Sequence, residues 1–326
     1  MASEKKQYLW YFVIAVILFC TVLYFYRPLR SYIPFYNKFR TIVILVFRNP
    51  LCSFSDGERG LVIQACIEKN VKPLSDRSRL VNKDSEGYQL WETPKGYFWI
   101  PPHENLRDFF HTLAEQECKI YGAGKVGIRS DDIVLDCGAN VGIFTREALH
   151  AGPKLVVAIE PSPQNIICLQ RNFKTEVEQG LIIIYEKGVW NREEVLTFYT
   201  QEEDSGEDSF VISSKSSQKI TVPVTTIDKL AKELKLDRVD FIKMDIEGAE
   251  ENALIGAKET IAKYGPRIAL SLEHIDIVDY EKKVGRMSNL IKSFYPNYQT
   301  QCGQCYIDRE PEARIARLYS YVLFFY

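Results

Sequence analysis

From Asp131 onward, short apolar runs alternate with helix-forming stretches, and this alternation constrains the fold more than any other feature of the chain. Strands are expected at 131–136, 154–160 and 181–185, with helices at 143–150 and 163–175 between them. Each helix must carry the chain back across the sheet, so the strands run parallel. Residues 239–244 and 268–272 read as two further strands around a helix at 249–264. Another helix is expected at 226–234, and 318–325 is apolar enough for a last sheet strand. Residues 196–200 and 220–224 read as a strand pair around an acidic, serine-rich loop at 202–209, solvated or lying over a site as a lid. The fold class is therefore α/β, with a doubly wound sheet.

The ends of these strands carry the chemistry. Asp136-Cys137-Gly138-Ala139-Asn140-Val141-Gly142 forms a strand end, a tight turn and a helix start. A ligand at that turn would lie at the positive end of the helix. Glycines there let backbone approach closely and adopt positive φ. Glu160 closes the next strand, where a ribose-binding acid belongs, and Ser162-Pro163 fits an N-cap and first helical residue. Asp245 and Glu273 end two more strands at the same edge, with Glu247 and His274 close by in sequence. One such acid alone is better read as a cap or a surface charge, whereas four at one edge favour a site. Asn140 stands where the dinucleotide fingerprint Gly-x-Gly-x-x-Gly needs its second glycine, which disfavours a nicotinamide-dependent oxidoreductase.

Three segments in order, 136–142, Glu160-Pro161-Ser162-Pro163-Gln164-Asn165 and 240–250 (Asp-Phe-Ile-Lys-Met-Asp-Ile-Glu-Gly-Ala-Glu), resemble the FkbM-type S-adenosylmethionine-dependent methyltransferases. The resemblance covers about 117–273. It implies a Rossmann-like methyltransferase sheet, S-adenosylmethionine as donor, and methyl transfer to a hydroxyl of a sugar, glycolipid or secondary metabolite. Carried onto this chain, Asp136, Gly138, Ala139, Asn140 and Gly142 would cradle the methionine end and ribose. Glu160 would accept from the ribose hydroxyls, and Pro161 and Ser162 would border the adenine, with 186–188 a weaker candidate for its other edge. Asp245 would face the donor and, with Glu247 and His274, the acceptor; these three and Glu273 are the candidate bases. A divalent cation held by the acidic group ranks below donor or substrate binding, and no metal site is assigned. A binding module without turnover is the alternative from another class.

The first 40 residues depart from the globular pattern. Residues 8–26 form an uncharged apolar and aromatic run of 19 residues, about 28 Å as a helix and enough for one bilayer crossing. An uncleaved anchor is preferred to a signal peptide, because no small-x-small cleavage site follows. Lys5 and Lys6 precede the run, whereas Arg27, Arg30, Lys38, Arg40 and Arg48 follow it, which predicts a cytoplasmic main domain. Membrane attachment and a small-molecule or lipid-linked glycan acceptor are the expected partnerships. A net charge of −2 without a basic stripe argues against nucleic acid. The organisation expected is a tail and anchor at 1–26, a lead-in at 27–116 and a methyltransferase domain at 117–326.

In the lead-in, 41–47 is a buried strand or an interfacial segment, 55–70 a short helix with Ser55 as a possible cap, and 88–92 with 97–100 a hairpin. Residues 104–119 form an amphipathic helix with Leu106, Phe109, Phe110 and Leu113 on one face. This lead-in lies outside the shared motifs, and acceptor choice is expected to reside there. Of eight cysteines, Cys66, Cys118, Cys137 and Cys168 read as small buried thiols in a reducing compartment. Cys302 and Cys305 have metal or redox spacing, but a plain structural role is preferred.

Overall fold

A computed structural model describes residue 52 and residues 54–200, 208–211, 218–275, 279–309 and 316–326. The expected anchor at 8–26 and the apolar segment at 41–47 lie outside the described residues. Among the described residues no helix is long and apolar enough to cross a membrane.

The lead-in begins with α1 (Phe54–Asp76), so Ser55 lies within its first turn instead of capping it. The strands β1 (Arg79–Lys83), β2 (Gln89–Thr93) and β3 (Gly96–Ile100) form a small antiparallel sheet. The hairpin β2–β3 closes between Thr93 and Gly96, as the Thr-Pro-Lys-Gly turn predicts. Then comes α2 (Leu106–Glu117), whose N-cap Asn105 accepts a hydrogen bond from the Arg107 amide. Phe109, Phe110, Leu113 and Ala114 on α2 are buried, with Phe110 edge-on to Trp91 and Phe109 edge-on to Phe98.

The central part runs β4 (Ile133–Cys137), α3 (Ile143–His150), β5 (Leu155–Ile159), α4 (Pro163–Asn172), α5 (Lys174–Glu178) and β6 (Ile182–Tyr185). Next come β7 (Gly188–Val189), β8 (Glu194–Thr200), β9 (Gln218–Thr225), α6 (Ile227–Glu233) and β10 (Phe241–Met244). After them lie α7 (Glu250–Ile255), α8 (Lys258–Tyr264), β11 (Arg267–Ser271), α9 (Tyr280–Phe294), β12 (Thr300–Cys302), β13 (Cys305–Arg309), β14 (Ala316–Ser320) and β15 (Val322–Phe325). The main sheet has the order β12-β15-β11-β10-β4-β5-β6. From β11 to β6 every pairing is parallel, whereas β15 is antiparallel to both β11 and β12. The sheet is thus mixed and not purely parallel. No crossover helix precedes β15; the antiparallel pair β13–β14 comes between β12 and β15, so β15 returns antiparallel to β12.

All residues of β4, β10 and β11 are buried, as expected for strands covered on both faces. One apolar cluster joins the sheet to the lead-in, bringing Ile67, Phe98 and Leu113 into the same core as Val134, Val156 and Phe241. Each such large side chain contributes roughly 1.5–3 kcal/mol by leaving water, and residues 50–326 form one compact unit.

The helix expected at 163–175 ends at Asn172 and is followed by the short α5, and two further helical expectations change. The helix expected at 249–264 is broken into α7 and α8 at Gly256, where a Cβ would come within 2.1 Å of the Trp190 carbonyl oxygen. The Asp228 carboxylate then caps α8 from outside, accepting from the amides of Glu259 (2.9 Å) and Thr260 (2.7 Å). Helix α9 has no counterpart in the expected elements. The cysteines also change. Cys66 and Cys118 are joined in a disulfide, and Cys302 is bonded to Cys52, across 250 residues. Cys302 and Cys305 therefore form neither a local disulfide nor a metal pair, and Cys305 is a free buried thiol like Cys137 and Cys168.

Candidate active site

Parallel strand order reverses between β4 and β10, since β5 and β6 lie on one side of β4 and β10 and β11 on the other. Ligands collect in the crevice outside the carboxyl ends of strands at such a point. A cavity of about 270 Å³ lies there, lined by residues that follow β4, β5, β10 and β11 and by the inner face of α2.

One half is formed by the turn after β4 and the end of β5. Gly138, Ala139 and Asn140 line the cavity. Gly138 has φ 79° and Asn140 φ 49°, and a Cβ on Gly138 would lie 1.9 Å from the Asp245 carbonyl oxygen. The close approach that requires glycine is therefore between the two loops themselves. Gly142, with φ 92°, is the N-cap of α3 and abuts the Phe173 ring. Glu160 is only 4% exposed. Its Oε2 accepts from the Asn140 amide at 2.8 Å and its Oε1 from the Ser162 amide at 2.9 Å. Burial pushes this carboxyl up to about 7 against the pull of those two amides. Pro161, Val189, Phe198 and Phe210 provide apolar lining beside it, together with Gly188. Ser162 occupies the N-cap position of α4, yet its side chain makes no cap bond and its hydroxyl is 2.8 Å from a carboxylate oxygen of Asp208. Asp136, Gly142 and Ser162 do not line the cavity.

Asp136 is instead fully buried behind the turn. It pairs across the sheet with Lys243, its register partner on β10. The Lys243 ammonium lies 3.3 Å from Asp136 Oδ1 and 3.8 Å from Asp245 Oδ2, and it donates to the Gly138 carbonyl oxygen at 2.6 Å. Thr145 donates to Asp136 Oδ2 at 2.6 Å. Burial opposes charge on Lys243, but Asp136 and Asp245 hold its pKa above the usual lysine value. This lysine fastens the turn after β4 to the loop after β10.

The other half gathers Asp245, Glu247, Glu273 and His274. His274 Nδ1 is 2.9 Å from Glu247 Oε2, and its Nε2 is 3.6 Å from Asp245 Oδ1. Tyr121 donates to Asp245 Oδ2 at 2.7 Å. Burial disfavours the imidazolium, but the two carboxylates raise its pKa to about 11. Burial also opposes charge on Asp245, whereas Lys243 and His274 hold it well below the usual carboxylate range. Glu247, raised by burial against the pull of His274, lies at about 7. Asp245, Glu247 and His274 place one ligand atom each within 4.8 Å of one another, a spacing that a metal ion could bridge.

The arrangement suits a nucleoside donor at one end, where a carboxylate stands for a diol and apolar side chains for a flat base. At the other end stands a polar group set able to orient an acceptor and take its proton. Lys243, Tyr121 and the inner face of α2 are absent from the expected site residues. A lysine inside the apolar run Phe241-Ile242-Lys243-Met244 is a local signal, since a buried charge needs a partner; Tyr121 carries no such signal.

The sequence model of the methyltransferase FkbM domain matches residues 136–298, half of the chain. Methyltransferase 1 of Beauveria bassiana (strain ARSEF 2860) is 26% identical over 172 residues, covering 46% of this chain and 62% of that protein. The 2-O-methyltransferase NoeI of Sinorhizobium fredii (strain NBRC 101917 / NGR234) is 25% identical over 151 residues, covering 41% and 61%. The chain thus spans about three-fifths of the length of these curated relatives. Among solved structures, a methyltransferase FkbM from Methylobacillus flagellatus KT aligns over 82% of this chain and 60% of its own, with a TM-score of 0.42 and 19% identity.

Proposed function

The chain belongs to the FkbM methyltransferase family, and from that premise we propose that it transfers a methyl group from S-adenosylmethionine to a hydroxyl of a sugar or glycolipid. The observation that carries the donor assignment is Glu160: a buried carboxylate at the end of β5, held by two backbone amides beside the turn after β4. Each of its oxygens keeps a lone pair for a ribose hydroxyl. Gly138, Ala139 and Asn140 face the methionine end, and Pro161 with its apolar neighbours borders the adenine. Asp136, Gly142 and Ser162 act behind these groups by holding the turn and the start of α4.

The donor supplies an electrophilic methyl group; the protein holds the acceptor in line with it and removes a proton. Asp245, kept ionised, and His274, kept protonated, orient the acceptor. Glu247, with its carboxyl at about 7, takes the proton. The name of the Sinorhizobium relative favours oxygen as the acceptor atom. An anchor at 8–26 would bring this site to lipid-linked glycans. The two disulfides favour a domain on the oxidising side of that membrane, opposite to the side expected from flanking charge.

Calorimetry with the full-length chain tests the donor assignment. Saturable binding of S-adenosylmethionine is expected. Glu160→Ala should weaken it roughly 10- to 100-fold, the loss of hydrogen bonds to a charged group worth ~1.5–3 kcal/mol. No saturable binding by the folded wild-type chain would reject the proposal.

A further inference from the structure

Asp208, Ser209 and Phe210, at the end of the acidic, serine-rich stretch after β8, are tied to three elements around the site. Ser209 is 1% exposed. It forms an antiparallel bridge to Tyr199 of β8, donating its amide to the Tyr199 carbonyl oxygen at 3.0 Å and accepting from the Tyr199 amide at 2.9 Å. Phe210 packs against Phe198 with ring centroids 4.7 Å apart and against Trp190 at 6.0 Å. It lies over Gly188 of β7, where a Cβ would come within 2.5 Å of the ring. Asp208 accepts from the Ser162 hydroxyl at the start of α4. The segment is therefore anchored on β8, β7 and α4.

From that anchorage the Ser209 hydroxyl donates to the Glu247 carbonyl oxygen at 2.7 Å, while it accepts from the Val211 amide at 3.0 Å. Glu247 has φ 55°, a left-handed conformation that a residue with a Cβ keeps only where its surroundings hold it. Two groups do so. On one side Glu250, 3% exposed, accepts from the Ile246 and Gly248 amides at 3.0 and 3.4 Å. On the other, Ser209 takes the carbonyl between them. In this conformation the Glu247 carboxylate lies 2.9 Å from His274 Nδ1, and both side chains line the cavity. Asp208 and Phe210 line it too, but Ser209 does not. Its hydroxyl can therefore act on the reaction only through another residue.

Resting on the reading of Glu247 as the group that takes the acceptor's proton, we infer that Ser209 is a positioning residue for methyl transfer. Its hydroxyl fixes the left-handed turn at Glu247 and so aims that carboxylate at His274 and the acceptor. Without it the Glu247 carbonyl loses a buried partner, and the backbone relaxes toward the ordinary right-handed region, carrying the carboxylate away from the imidazole.

Proton NMR of the full-length chain, with a chelator present, reads this geometry without any acceptor. The Nδ1 proton of His274 should give a downfield, hydrogen-bonded resonance, identified by its absence in His274→Gln and lost or moved upfield in Glu247→Gln. Ser209→Ala should lose it as well. Ser209→Thr, which keeps a hydroxyl, should retain it, and so should Ser162→Ala, which unties only Asp208. Absence of the resonance in wild type, its persistence in Glu247→Gln or Ser209→Ala, or its loss in Ser209→Thr or Ser162→Ala would overturn the inference. Failure of the same wild-type chain to bind S-adenosylmethionine would be the separate failure of the methyl-transfer reading.

Discussion

Glu160 joins burial to function at the scale of one residue. Its carboxyl titrates at about 7 because burial outweighs two amide hydrogen bonds, against an ordinary value of 4.5. Between those values the folded protein holds a proton that the unfolded chain releases. This group therefore favours folding below the window and costs stability as pH rises through it. Ribose binding needs the ionised form, so donor affinity should rise as pH increases through about 7 in wild type and lose that step in Glu160→Gln, as calorimetry across pH 5.5–8.5 will read. Glu247→Gln should leave donor affinity in place and lower turnover by roughly 10²–10⁴-fold, the usual range for losing an acid–base group; an unchanged rate would remove Glu247 from that role. Lys243 is a structural residue by contrast. Replacing it with Met strands Asp136, which is fully buried, and should cost ~3–5 kcal/mol in chemical denaturation. The acids Asp136, Glu160 and Asp245 were legible in sequence because each ends an apolar run beside a turn. That Asp136 faces Lys243 and not the cavity was not legible, since it depends on β4 and β10 becoming neighbours across 107 residues.

At the scale of elements, apolar runs bounded by turn residues and acids identify the parallel strands β4, β5, β6, β10 and β11 to within a residue or two. Helix α3 also matches its expected span. The split between α7 and α8 escaped because its cause lies outside the helix, in the Trp190 carbonyl and the Asp228 carboxylate. Helix α9 is a different case. Tyr280, Val284, Met287, Ser288 and Ile291 are its buried residues, and their spacing is plain in the sequence. The disulfides could not be read, because spacing does not decide which cysteines pair. Cys66–Cys118 closes a separation of 52 residues and joins α1 to α2. Changing both cysteines to Ser should lower stability by about 2–4 kcal/mol. Because α2 lines the cavity, acceptor binding should weaken in that variant at temperatures where it remains folded, with donor binding retained.

At the scale of the whole molecule, a family methyltransferase sheet carries a lead-in that shares its core and encloses its cavity. The division expected at 117 marks where the family resemblance begins, whereas Ile67, Phe98 and Leu113 pack into the same cluster as Val134 and Phe241. Two disulfides fit a compartment that keeps thiols oxidised. Mass spectrometry of the full-length protein isolated from its native cells under thiol-blocking conditions should find Cys52, Cys66, Cys118 and Cys302 unlabelled; labelling of all four would place the domain in a reducing compartment. The crevice between β4 and β10 should hold the donor. A crystal structure of the full-length chain with S-adenosylhomocysteine addresses it most directly. Both ribose hydroxyls should lie within hydrogen-bond distance of Glu160, with the sulfur facing Asp245 and His274. A nucleoside bound elsewhere, or bound here with its ribose away from Glu160, would contradict it.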